Sequence, residues 1–334
     1  MVFNSFRSML RMGAGGVAAV TIAVPAQALW LRINYQGNEP LPEARGPLSG
    51  IVRWAQQARV SKPLGHFQPT QSGARLRGTY MSNQHAAPHD TQRAGRPANI
   101  LFLGDSLVTG VGCSQERSCG PALPLAVAEF ISKRLRVDVQ WAAIGETGCD
   151  VRVLREKLVP AFAHEVRRVR TLGQHIDVVV IVCGLNDFKS AYHSLQNTAE
   201  DFRLQLSDVV AQVQQQTGVH CTVVLPALPV HRAPVFQNVQ PLLSFTSHLA
   251  ALWDEQKFLI SKSLPRRVCF VKNAQEDDWY SASKYWAIDG IHPSDEGYRV
   301  WGEHIGTSIV DHLLHRRSTD QQFPKRDWLS AQAN

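Results

Sequence analysis

The run Ile-Asp-Val-Val-Val-Ile-Val-Cys at 176–183 restricts the fold of this chain more than any other feature. Apart from Asp177 it is apolar at both odd and even positions, so a strand built from it has no face to give to water. Such a strand belongs inside a sheet covered on both sides. The surrounding sequence supplies further strands and their cover. Asn99–Leu103, Val137–Ala142, Cys221–Leu225 and Val268–Val271 read as further short apolar strands. Between and after them, apolar residues recur at helical spacing: Leu123, Val127, Phe130, Ile131 and Leu135, then Phe202, Leu206, Val209, Val210 and Val213, and last Tyr298, Trp301, Ile305 and Ile309. Strands alternating with helices imply an α/β fold with parallel pairing and right-handed crossovers.

This pattern starts only at residue 98. Residues 1–32 contain an uncharged stretch, 12–31, long enough to span a bilayer, with Arg7 and Arg11 before it and Arg32 after. Three readings stay open: an uncleaved signal anchor, a signal peptide cut after Ala28 in Ala26-Gln27-Ala28, or a mitochondrial or plastid transit segment. The first two place the protein at a membrane or in the secretory pathway. Residues 33–97 form an extension with one short helix expected near Ile51–Arg59, and its Gly-, Pro-, Gln- and Ser-rich part from 63 onward reads as a linker. Residues 98–315 are the expected catalytic domain and 316–334 a polar tail. A chain starting near Arg96 is expected to suffice, because every proposed catalytic group lies beyond it.

The net charge of +7 is concentrated outside the patterned region. Residues 1–97 hold eleven Lys/Arg against three Asp/Glu, a balance of +8, and the remainder carries −1. A nucleic-acid-binding domain carries its charge on an ordered face, so no nucleic-acid partner is expected. The six cysteines include no Cys-x-x-Cys pair, and no zinc site is expected. Cys113 and Cys119 flank a short polar loop; a disulfide in an oxidising compartment and two free thiols are both compatible with their spacing.

In parallel α/β sheets, functional groups collect beyond the carboxyl ends of the strands. Gly104-Asp105-Ser106-Leu107 follows the first strand and sets a serine hydroxyl at a strand-to-helix turn. Gly145-Glu146-Thr147-Gly148 follows the second, and Gly184-Leu185-Asn186-Asp187 follows the run at 176–183. Each offers what an oxyanion hole needs, an uncrowded backbone N–H or a side-chain amide. Asp289-Gly290-Ile291-His292-Pro293 follows the last strand; a carboxylate three residues before a histidine can fix its tautomer and aim the other nitrogen at a nucleophile. The loop 226–236 is expected to flank this site as an acyl-binding wall.

In identity, order and spacing, these four blocks resemble those of SGNH/GDSL hydrolases over roughly residues 98–313. The resemblance implies a flavodoxin-like three-layer α/β/α sandwich with a parallel sheet of about five strands, and ester hydrolysis without a metal or other cofactor. It assigns Ser106 as nucleophile and first oxyanion donor, Gly148 as second donor, Asn186 as side-chain donor, His292 as base and Asp289 as its orienting carboxylate. In one respect the chain departs from the pattern: Ala143 stands where the family often has Asn before the oxyanion glycine. Gly148 is preferred over Gly145 because Thr147 precedes it. Ala28-Leu29-Trp30 and Leu41-Pro42-Glu43-Ala44 are similar to the anchor region of membrane-attached members. The implied substrate is a small-molecule, lipid or acylated-sugar ester. The competing reading is a non-catalytic module of the same fold that binds an acylated glycan or lipid.

Overall fold

A computed structural model of the chain describes residues 40–60, 96–187, 195–229, 232–237, 239–274 and 282–319. The segment at 12–31 and most of the linker lie outside the described residues, as does the end of the polar tail. Among the described residues, no helix is long and apolar enough to cross a membrane.

The strands are β1 (Ser49–Val52), β2 (Ala98–Gly104), β3 (Val139–Gly145), β4 (Val178–Val182), β5 (Thr222–Pro226) and β6 (Val268–Val271). They form one sheet in the order β1-β3-β2-β4-β5-β6. All neighbours are parallel except β1, which runs antiparallel along β3 from Ser49 opposite Ala142 to Val52 opposite Val139. Counting only the parallel strands gives the doubly wound order 2-1-3-4-5, the flavodoxin-like arrangement.

Successive side chains of β2 and β4 point to opposite faces, which is why their sequences are apolar throughout. Ile100, Phe102, Val178, Val180 and Val182 pack with α3 (Ala122–Leu135) and the last helix, α8 (Asp295–Thr319), whose Tyr298, Trp301, Ile305 and Ile309 are buried. Leu101, Leu103, Val179 and Ile181 face the other side. There they meet α5 (Val159–Thr171), α6 (Leu195–Thr217) and α7 (Leu242–Ser263), through residues such as Phe162, Leu206 and Trp253. The result is a three-layer sandwich.

Three departures from the sequence reading have physical reasons. The sheet has six strands, not about five, and is not wholly parallel. Ser-Gly-Ile-Val at 49–52 is short and buries only Val52 deeply, so its pattern carries no strand signal; it exists because β3 leaves an edge to pair with. The short helix expected near Ile51–Arg59 begins only at Trp54, as α1 (Trp54–Val60), after that strand has ended. Trp54 N–H donates to Asp138 Oδ1 at 3.0 Å. Two long helices carry no clean stripe in sequence. The one after β3 is interrupted: α4 (Val151–Val153) passes through a π turn at Leu154–Leu158 before α5, which breaks the 3.6-residue period. α7 buries Gln256 and Lys257 within its apolar face.

The segment 40–52, read as part of an extension, is laced into the domain. Ala44 N–H donates to Thr109 O at 3.1 Å, Gly120 N–H to Arg45 O at 2.9 Å and Ala143 N–H to Leu48 O at 2.7 Å. A chain starting at Arg96 would lose all of this. The six cysteines are unbonded. Cys113 is buried, which pushes its thiol up to about 12.

Candidate active site

β2 ends at Gly104 because nothing larger fits: a Cβ there would stand 2.2 Å from Val182 O on the neighbouring strand. Asp105 then caps the four-residue helix α2 (Ser106–Thr109), its Oδ1 accepting from Leu107 N–H at 3.0 Å. Ser106 is therefore the first helical residue, and its own N–H has no acceptor among the described residues. α2 closes at Gly110, whose φ of 77° suits glycine.

The histidine arrives from a turn that its own carboxylate organises. Asp289 Oδ1 accepts the backbone N–H groups of Ile291 and His292, both at 2.9 Å. Its Oδ2 is left facing His292 Nδ1 at 2.5 Å, and His292 Nε2 lies 3.0 Å from Ser106 Oγ. Burial alone would raise the Asp289 carboxyl. The His292 ring and the two backbone donors outweigh it and hold the group below its ordinary range. Gly112, at φ 94°, lets the chain after α2 press against this turn: a Cβ would meet Pro293 O at 2.6 Å and His292 Cβ at 3.0 Å. Tyr298 hydroxyl donates to Val111 O at 2.7 Å and pins the same stretch. Val235 N–H donates to Gly290 O at 3.2 Å, so the turn at Pro234–Phe236 flanks the histidine turn; residues 230 and 231 of the loop 226–236 lie outside the described residues.

On the other side stand the loops after β3 and β4. Gly145 is occupied structurally: it pairs with Gly104, and a Cβ would press on Thr109. Gly148 is exposed at φ 83° with open space around it, and its N–H has no acceptor among the described residues. Asn186, expected as the side-chain oxyanion donor, stands between two acceptors. Its Nδ2 donates to Asp105 Oδ2 at 3.2 Å and to Cys149 O at 3.1 Å. Both amide hydrogens already face acceptors.

Beneath these loops lies a buried charged group that the sequence reading missed. Asp105, Asp187 and Asp254 are each raised to about 6 by burial. Asp187 Oδ1 accepts from Val151 N–H at 3.0 Å, and its Oδ2 has no partner among the described residues. Lys257, fully buried on α7, donates to Pro226 O at 3.0 Å and lies 3.7 Å from Asp254. Its charge favours the ionised form of all three acids. Lys257 had no visible signal, because the helix carrying it had none. Among the described residues, no group of three or more His, Cys, Asp or Glu is placed to hold a metal ion.

Fold and site together are those of an α/β serine hydrolase of carboxylic esters. The sequence profile of the GDSL-like lipase/acylhydrolase family matches residues 102–300, and the chain belongs to that family. No curated protein sequence matches the chain. Among solved structures, it is similar to a carbohydrate esterase family 2 enzyme with a carbohydrate-binding domain from Corynascus thermopiles (Myceliophthora fergusii). Identity is 15%, over 66% of this chain and 67% of that one, with a TM-score of 0.46. It is also similar to a catalytic mutant of Axe2, an acetylxylan esterase from Geobacillus stearothermophilus. Here identity is 16%, over 65% of this chain and 96% of that one, with a TM-score of 0.47.

Proposed function

We propose that the protein hydrolyses a carboxylic ester through an acyl-enzyme formed on Ser106. The observation that carries this is the continuous line from Asp289 Oδ2 to His292 Nδ1 and from His292 Nε2 to Ser106 Oγ, at 2.5 and 3.0 Å. A carboxylate on Nδ1 keeps the proton there and leaves Nε2 as the base. As Ser106 Oγ attacks the ester carbonyl, its proton passes to Nε2. The tetrahedral oxyanion takes the unclaimed N–H groups of Ser106 and Gly148. Asn186 adds a hydrogen shared with its present acceptors, Asp105 and the Cys149 carbonyl. The imidazolium then protonates the departing alkoxide. Water enters, gives a proton to Nε2 and cleaves the acyl-enzyme, regenerating Ser106. Each fully free donor contributes on the order of 3 kcal/mol to the transition state. The substrate is an ester of a small molecule, a lipid or an acylated sugar.

Ser106→Ala tests this. It is expected to lower p-nitrophenyl acetate turnover by about 10⁴-fold or more and to abolish fluorophosphonate labelling, with thermal stability unchanged. Labelling or turnover that survives in a folded Ser106→Ala protein refutes the assignment. A wild-type protein that neither labels nor turns over any ester in a panel of graded acyl length favours the non-catalytic binding module.

A further inference from the structure

The site reading leaves one side chain unexplained. Glu43 is more than sixty residues before Ser106 in sequence, yet its Oε1 lies 2.5 Å from Thr147 Oγ1, next to Gly148. Thr147 Oγ1 is in turn 2.9 Å from Thr109 Oγ1, at the end of the helix that Ser106 begins. A carboxylate only accepts and each threonine has a single hydroxyl proton. The Thr147 proton therefore goes to Glu43, and Thr147, at 2.9 Å, accepts the proton of Thr109, which also has Ser106 O as a more distant acceptor at 3.4 Å. The chain of donors runs one way, Thr109 to Thr147 to Glu43. It ties together the two elements that carry the unclaimed N–H groups of Ser106 and Gly148.

The backbone around Glu43 is fixed independently of that side chain. Ala44 N–H donates to Thr109 O, and Glu43 O accepts from Gln115 Nε2 at 3.0 Å. Ala44 sits against Gly110, where an added Cβ would come within 2.8 Å of the alanine methyl. Gly46, at φ 110°, is wedged so closely that a Cβ would stand 2.3 Å from Ser118 O. The carboxylate is therefore delivered by a held backbone, not by a free tail. Gly148 needs such a brace: among the described residues no neighbour lies within 4 Å of where its Cβ would be, and its own turn is closed by Cys149 N–H donating to Glu146 O at 3.0 Å.

We propose that Glu43 is a positioning residue for ester hydrolysis: through the Thr147 hydroxyl it sets the Gly148 N–H against the oxyanion, so the segment before the hydrolase motifs completes the oxyanion hole. This rests on the reading of Ser106 and Gly148 given above. Glu43 touches no reacting atom and acts by holding Thr147. Its effect therefore falls on the transition state and not on the bound ester.

The test uses the full chain with p-nitrophenyl acetate and a trifluoromethyl ketone whose hydrate-like adduct mimics the oxyanion. Glu43→Ala and Thr147→Val are each expected to lower kcat about 10-fold, a fraction of the loss of a whole oxyanion donor, with KM changed less than about 2-fold. Ketone affinity should fall in parallel. The double variant should be no worse than either single one, because both break the same link. Glu43→Gln keeps an acceptor oxygen and should retain most of the wild-type kcat. Unchanged kcat in Glu43→Ala overturns the proposal. So does a kcat loss that Glu43→Gln shares in full, or one that adds to that of Thr147→Val. A folded Ser106→Ala that still turns over p-nitrophenyl acetate instead overturns the reading of the site, whatever Glu43 does.

Discussion

Asp177 at one end of the sheet and the trio Asp105, Asp187 and Asp254 at the other are buried carboxylates treated in opposite ways. At the amino ends of β2 and β4, Asp177 is buried and every oxygen is used. Arg96 grips it with two nitrogens at 3.0 and 2.7 Å, Asn99 N–H donates at 2.9 Å and His175 stands 3.3 Å away. Burial alone would raise Asp177, but the His175 and Arg96 contacts bring it down to about 2. At the carboxyl ends, Asp105, Asp187 and Asp254 are buried with fewer partners and rise to about 6. One end is built for stability. The other holds carboxylates that weaken the fold at neutral pH, beside the residues that would do the chemistry. That is the general relation between pre-organised sites and the scaffold that holds them.

The difference has a definite pH signature. The folded value of Asp177 is below its unfolded value, so its contribution of roughly 2 kcal/mol is complete above about pH 4 and is lost as pH falls toward 2. The upper three are the reverse. Between about pH 4 and 6 the unfolded chain has released protons that the folded chain still holds, so stability falls as pH rises through that window. The cost, about 3 kcal/mol for each acid, is complete above about 6.

The largest effect expected from this contrast is at the lower end. Asp177→Asn leaves the Arg96 guanidinium without its countercharge and should cost about 4 kcal/mol at pH 7, read by urea unfolding, with kcat unchanged in the remaining folded protein. A loss under 1 kcal/mol would erase the distinction between the two ends. Next is Asp187→Asn. Asparagine keeps an oxygen for Val151 N–H and removes a charge whose second oxygen has no partner among the described residues. Relative to wild type, its stability should rise by about 3 kcal/mol between pH 4 and pH 8. A pH-independent difference would mean that Asp187 is not an unfavourable charge. The smallest effect is expected at the surface. Arg299 reaches both Glu296 and Glu303 on the outer face of α8, and Arg299→Ala should cost under about 1 kcal/mol, less again in high salt. A larger loss would show that burial is not what separates strong from weak pairs here.

Much of this was legible in the sequence. The five parallel strands could be read because each is a short apolar run, and the stripes of α3, α6 and α8 because a period of 3.6 survives in the linear order. Ser106, His292 and Asp289 could be read because strand ends in such a sheet converge, so motifs far apart in sequence meet in one place. The direction of Asp289 could be read too, since three residues bring it back onto its own histidine.

Tertiary structure alone decided the rest. β1 exists because β3 offers an edge, and nothing within Ser-Gly-Ile-Val announces it. Asn186 was identified by its motif, but the commitment of its two hydrogens to Asp105 and Cys149 depends on where three separate loops stop. Lys257 reads as a surface lysine until the end of β5 and Asp254 close around it. Glu43 lies 104 residues from Thr147, and its contact depends on the path of a segment that has no pattern of its own. The physical reason is the same in each case: periodicity and short motifs encode what a residue's near neighbours require, whereas edge pairing, burial and the sharing of protons are settled only when distant segments come into contact.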